Sequence, residues 1–267
     1  MRPEAVRRAL DAELAAARER GRGRAPRVLD VGGGSGVWAV QLAASGCEVT
    51  VVEPSPNALA ILHRRAVEAD ASGRITAVQG DTEALGGLVP PAEADLVLGH
   101  GVLEQVDDVP TALAALRTAA VPGGAVSVLV ANLYAAILHR ALAGRLTEAL
   151  RLLTEADARV GATAGAWGAR HEEIWNGEAG NGHPLLPTEQ VLRRFDTEGL
   201  HAVLTAADLR VELLQGDGVV ADLVPGAVLE SYPSAAEALA QLELLAANRP
   251  PLRDLATRLH AIARRPS

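Results

Sequence analysis

An α/β fold, built on a mostly parallel sheet with helices on both faces, is what the sequence predicts. Three observations lead there. Through residues 27–131, short β-rich apolar runs alternate with helical stretches, the pattern of parallel strands joined by crossover helices. A glycine run, Gly32-Gly33-Gly34-Ser35-Gly36, separates the first such strand from the helix after it. The 267 residues are 49% hydrophobic and 22% charged but only 2% aromatic, so the core must be aliphatic.

The elements follow in order. Residues 3–20 read as an amphipathic helix with Val6, Leu10 and Leu14 on one face, ended by Gly21 and Gly23. A strand over 27–31, the glycine run and a helix over 37–44, closed by Gly46, come next. Residues 48–52 form a second strand ending at Glu53, and 57–69 a helix. Residues 74–79 form a third strand stopped by Gly80-Asp81, and 95–99 a fourth. A helix over 110–120 and the turn Pro122-Gly123-Gly124 lead into a fifth strand over 125–131. These residues make 25–131 a Rossmann-like core behind an N-terminal helix, 1–24.

The second half is less regular. A long helix is expected over 133–155, then a Gly-, Ala-, Asn- and Trp-rich connection over 156–182. His183-Pro184 opens a turn, and Thr188 is a good N-cap for a helix over 189–198. Strands are expected over 209–215 and 219–223, a helix over 234–247, and a final edge strand near 259–263. Residues 132–188 thus read as a helical lid and acceptor-site insertion, and 189–267 as the C-terminal part of the fold.

Composition excludes several chemistries. The chain has no lysine, so all 25 basic residues are arginine. A P-loop lysine, a Schiff-base lysine and a kinase ATP lysine are therefore all absent. Cys47 is the one cysteine, which rules out an intrachain disulfide and a thiolate metal cluster. His171-Glu172-Glu173 lacks the second histidine of H-E-x-x-H, since position 175 is Trp175, and no metal is expected. The first 24 residues carry charge throughout, and no stretch approaches the roughly 20 apolar residues of a membrane span. No membrane association and a cytoplasmic location are the expectation.

The glycine turn implies a ligand at the carboxyl end of the first strand, on a helix N-terminus. The dinucleotide fingerprint G-x-G-x-x-G fails, because the last position falls on Val37. What stands is G-x-G-x-G at Gly32, Gly34 and Gly36. Glu53 closes the second strand roughly 20 residues on, where an acid hydrogen-bonds ribose hydroxyls and opposes a 2′-phosphate.

This block resembles the class I S-adenosylmethionine-dependent methyltransferases. Gly80-Asp81-Thr82, Asp95–His100 with Val102-Leu103-Glu104, and Ala120-Val121-Pro122-Gly123-Gly124 look like that family's later motifs, in order. The resemblance implies a Rossmann-like methyltransferase fold, S-adenosylmethionine as cofactor, and Asp30, Gly32, Gly33, Gly34, Gly36, Glu53, Asp81, Thr82 and His100 as its binding residues. His100 with Val102-Leu103-Glu104, Asn132 with His139, His183-Pro184 and the Arg258/His260/Arg264 tail further resemble the bacterial tRNA 5-carboxymethoxyuridine carboxyl methyltransferases. That likeness implies a tRNA anticodon loop as partner. On the substrate side it points to Arg7 (or its neighbour Arg8), Asn132 and His139.

Ala131 and Leu252 depart from the subfamily's aromatic positions, and the net charge is −8, against the basic surface of most nucleic-acid binders. A small-molecule acid or phenol stays open as acceptor. A carboxylate acceptor needs a cation and no base. A hydroxyl or amine needs a base, for which His100, His139 and His183 are the candidates. No single catalytic residue is selected.

Overall fold

The computed structural model describes residues 4–160, 193–231 and 234–267. The chain opens with α1 (Glu4–Arg20), which buries Val6, Leu10, Leu14 and Ala17 along one face. Then β1 (Arg27–Val31), α2 (Val37–Ala44), β2 (Glu48–Glu53), α3 (Pro56–Glu68), β3 (Ile75–Gln79) and the one-turn α4 (Leu85–Leu88) alternate. They are followed by β4 (Ala94–His100), α5 (Val109–Ala119) and β5 (Ala120–Ala131). Next come α6 (Leu133–Leu142), α7 (Leu146–Val160), α8 (Thr197–Ala206), β6 (Arg210–Asp217), α9 (Gly226–Ser231), α10 (Ala235–Ala246) and β7 (Arg258–Arg264).

Seven strands form one sheet in the order β3-β2-β1-β4-β5-β7-β6. The first five are parallel, while β7 runs antiparallel to both β5 and β6. The chain leaves β1 toward β2 and later returns to pair β4 against β1's other edge. This reversal opens a crevice at the carboxyl ends, where such sheets bind ligands. One aliphatic core packs Leu10, Leu14, Leu42, Leu62 and Leu98 against one face, and a second packs Leu103, Leu113, Leu116, Leu200 and Leu204 against the other.

The structure corrects four expectations. The helix expected over 133–155 is two helices, because Gly144 takes φ +76° and turns the chain between α6 and α7. Residues 219–223 are not a strand: the N–H groups of Val219, Val220 and Ala221 all donate to the Glu243 carboxylate, and Ala221–Leu223 is a 3₁₀ turn. The helix expected over 189–198 is displaced. Asp196, accepting from Gly199 N–H at 2.6 Å, caps α8, and Phe195 bridges Asn132 in extended conformation. Thr188 and residues 189–192 lie outside the described residues. The last strand is longer than expected and interior, held between β5 and β6 with Leu259–Ala263 fully buried. No helix among the described residues is long and apolar enough to cross a membrane.

Candidate functional site

The β1–α2 turn is built by glycine for two separate reasons. Gly36 caps α2 with φ +78°, and a Cβ there would lie 2.1 Å from Leu62 Cδ1. A Cβ at Gly33 would lie 2.8 Å from both the Asp30 carboxylate and Val51. Gly34 instead offers its N–H to Glu53 Oε2 at 3.0 Å. Glu53 Oε1 accepts from Ser55 N–H at 2.9 Å, so two backbone donors fix this 8%-exposed carboxylate at the rim of the crevice.

That crevice is a cavity of about 380 Å³. Its inner side carries Gly32, Val52 and Glu53, and its far side Gly80, Asp81, Thr82 and Glu83. Asp81 also caps the turn beyond it, accepting from Ala84 N–H at 2.9 Å. The remaining wall is the β4–α5 loop, with Gly101, Val102, Gln105, Val106 and Asp107. Gln105, Val106 and Asp107 escaped sequence reasoning, since nothing in their local pattern marks a ligand; their nearness to Glu53 is a product of sheet order. Among the described residues none lining the cavity is cationic, while Glu53, Asp81, Glu83 and Asp107 are acids.

Asp30 lies behind the turn, fully buried. Desolvation first, and the Glu53 charge second, push its carboxyl up to about 7. Its Oδ2 has no hydrogen-bond partner among the described residues. His100 does not line the cavity. Its Nε2 is 2.8 Å from Ser127 Oγ, which is 2.8 Å from His260 Nε2. Gln215 Nε2, an amide donor, meets His260 Nδ1 at 2.8 Å. Burial holds both imidazoles neutral, with His260 lowered to about 3 and His100 well below its usual range. The donor order then runs from Gln215 to His260 to Ser127 to His100. It leaves the His100 proton on Nδ1, which has no partner among the described residues.

The residues expected on the substrate side scatter. Asn132 is held inside the fold: it is 1% exposed, its Oδ1 caps α6, and its amide donates to the Asp254 and Ala256 carbonyls. Arg7 lies on the outer face of α1, paired with Glu4 and Asp11, and does not line the cavity. Arg8 is likewise on that helix and reaches Glu4. His139 is half-buried on α6, away from the lining residues. His183, Trp167 and Trp175 lie outside the described residues. A cation does stand at the carboxyl edge: Arg258 opens β7, opposite Ala131 of β5 and Asp217 of β6, and pairs with Asp217.

The family described as "Methyltransferase domain" matches residues 2–214. The chain belongs to this family. The methyltransferase is 32% identical over 120 residues to the Escherichia coli K12 tRNA 5-carboxymethoxyuridine methyltransferase, 44% of this chain and 45% of that protein. The chain thus matches about half the length of that curated relative. Its fold resembles S-adenosylmethionine-dependent methyltransferases from Methanosarcina mazei (TM-score 0.55, 13% identity, 91% of this chain and 93% of that one) and Mesorhizobium loti (0.54, 17%, 97% and 96%). It also resembles the [4+2]-cyclase SpnF (0.53, 18%, 97% and 82%), so the scaffold alone does not name a reaction.

The residues at the glycine turn fit S-adenosylmethionine, the cofactor that the solved methyltransferase structures of similar fold are named for. The turn at Gly32 is open to the ligand, and an acid-lined cavity suits a ligand of net positive charge. It disfavours the pyrophosphate of a dinucleotide.

Proposed function

We propose that this methyltransferase esterifies a carboxylate, that of a modified wobble uridine in tRNA. Glu53 would take the ribose hydroxyls of the cofactor, Asp81 and Thr82 its adenine end, and the turn at Gly32 the methionyl end. The cofactor, when bound, supplies a methyl group already activated by the sulfonium charge. The protein's task is then alignment and exclusion of water.

The observation that carries the acceptor class is Arg258. Its guanidinium is half-exposed at the carboxyl edge of the sheet, and its charge favours the ionised forms of Asp217 and Glu104 and the neutral form of His100. An arginine there can hold an ionised carboxylate for in-line attack, with no proton to remove. The likeness to the E. coli tRNA enzyme supports the nucleic-acid acceptor. A free small-molecule acid is the second reading, favoured by the net charge of −8.

The test is methyl transfer from labelled S-adenosylmethionine to tRNA carrying the free wobble acid, followed by nucleoside analysis. A wobble methyl ester is the expected product. In Arg258→Met, KM for the acceptor should rise about tenfold or more while cofactor affinity stays the same. Transfer to small carboxylic acids but not to tRNA would establish the second reading.

A further inference from the structure

We infer that Arg193 is a positioning residue for the cofactor cavity, holding its outer wall from behind. The inference rests on the cavity being the cofactor's. That wall, the β4–α5 loop, is irregular chain between His100 and α5. Glu104 ties it to the sheet by accepting Ala131 N–H at 2.7 Å, and Asp108 starts the helix beyond. Between these ties, three loop carbonyls converge on one guanidinium. Arg193 Nη1 donates to Leu103 O at 3.2 Å and Val106 O at 2.8 Å, and Nη2 to Asp107 O at 3.3 Å. The Arg193 backbone N–H donates to Glu104 O at 3.3 Å.

The clamp has a rigid mount. Two residues later, Phe195 is 2% exposed and bridges the end of β5, its N–H donating to Ala131 O at 3.0 Å and its carbonyl accepting from Leu133 N–H at 2.9 Å. The guanidinium therefore fixes the wall to the sheet's central edge. Val106 and Asp107, whose carbonyls it holds, both line the cavity. A planar fork on an apolar stem suits this task, and a point-charge ammonium does not reproduce it. With the clamp removed, the loop must be ordered by the cofactor itself, and that entropy cost is charged to binding.

The experiment titrates the full chain with S-adenosylmethionine by calorimetry and follows amide hydrogen exchange over 101–107. Arg193→Met should weaken binding about tenfold and speed exchange in the loop. Arg193→Lys should fall between it and the natural chain. Leu14→Ala, a truncation in α1 within the core on the opposite face of the sheet, which contains no residue of 101–107, is the control: it should lower the melting temperature with little change in affinity.

Should Arg193→Met merely lower stability, like the control, with affinity and loop exchange unmoved, the inference is overturned. If that variant does not fold, equal affinities of Arg193→Lys and the natural chain overturn it as well. Failure of the natural chain to bind S-adenosylmethionine would instead sink the cofactor assignment of the cavity, a distinguishable result.

Discussion

At the scale of single residues, Asp30 has the most unusual chemistry. A buried carboxyl pushed up to about 7 is partly protonated in the free protein near neutrality. Its folded-state value lies above the unfolded one, so its contribution to stability is present at low pH and is lost as pH rises through about 7. Asp30→Asn should therefore stabilise the free protein at pH 8, by on the order of 3 kcal/mol, and change little at pH 4. A cationic ligand at the glycine turn would favour the ionised form. S-adenosylmethionine binding near pH 7 should then release protons, seen as a dependence of calorimetric heat on the buffer's ionisation enthalpy. Asp30→Asn should abolish that dependence; an unaltered dependence would show that the released protons come from another group.

At the scale of elements, the sheet is stitched by a polar chain as well as by its ladders. His100 of β4, Ser127 of β5, His260 of β7 and Gln215 of β6 are hydrogen-bonded in sequence across four adjacent strands. Both imidazoles have folded-state values below the ordinary one, so their contribution is present above pH 6.5 and lost as pH falls, for His260 toward about 3. Ser127→Ala leaves two buried ring nitrogens without a partner and should cost about 1–3 kcal/mol in urea denaturation at pH 7. A loss under about 0.5 kcal/mol would mean that another group or water takes the hydroxyl's place. Ser127 carries no sequence signal: it is one small residue in an apolar strand, and only strand order brings it between two histidines.

At the scale of the whole molecule, charge separates substrate from product. S-adenosylmethionine carries a net positive charge at neutral pH, and its demethylated product carries none. The cavity answers with Glu53, Asp81, Glu83 and Asp107 within a chain of net charge −8. Raising salt from about 50 to 500 mM should weaken substrate binding about threefold or more and leave product binding nearly constant. Asp107→Asn should narrow the affinity difference between the two. An equal salt dependence for both ligands would remove the electrostatic explanation of product release.

The glycine turn, Glu53 at the end of β2, the Asp81-Thr82 corner and the five parallel strands are legible in the order of residues alone. Each of these is local: a strand, its turn and the helix after it are consecutive in the chain, and residue type reports backbone geometry directly. That β7 slots between β5 and β6, that Asn132 is tied to the Ala256 carbonyl, that Arg258 stands at the carboxyl edge and that Arg193 reaches back to the β4–α5 loop emerges only once the chain is folded. Those placements join residues tens of positions apart. They follow from sheet order and antiparallel register, which burial of the whole core selects and which no short stretch of sequence encodes.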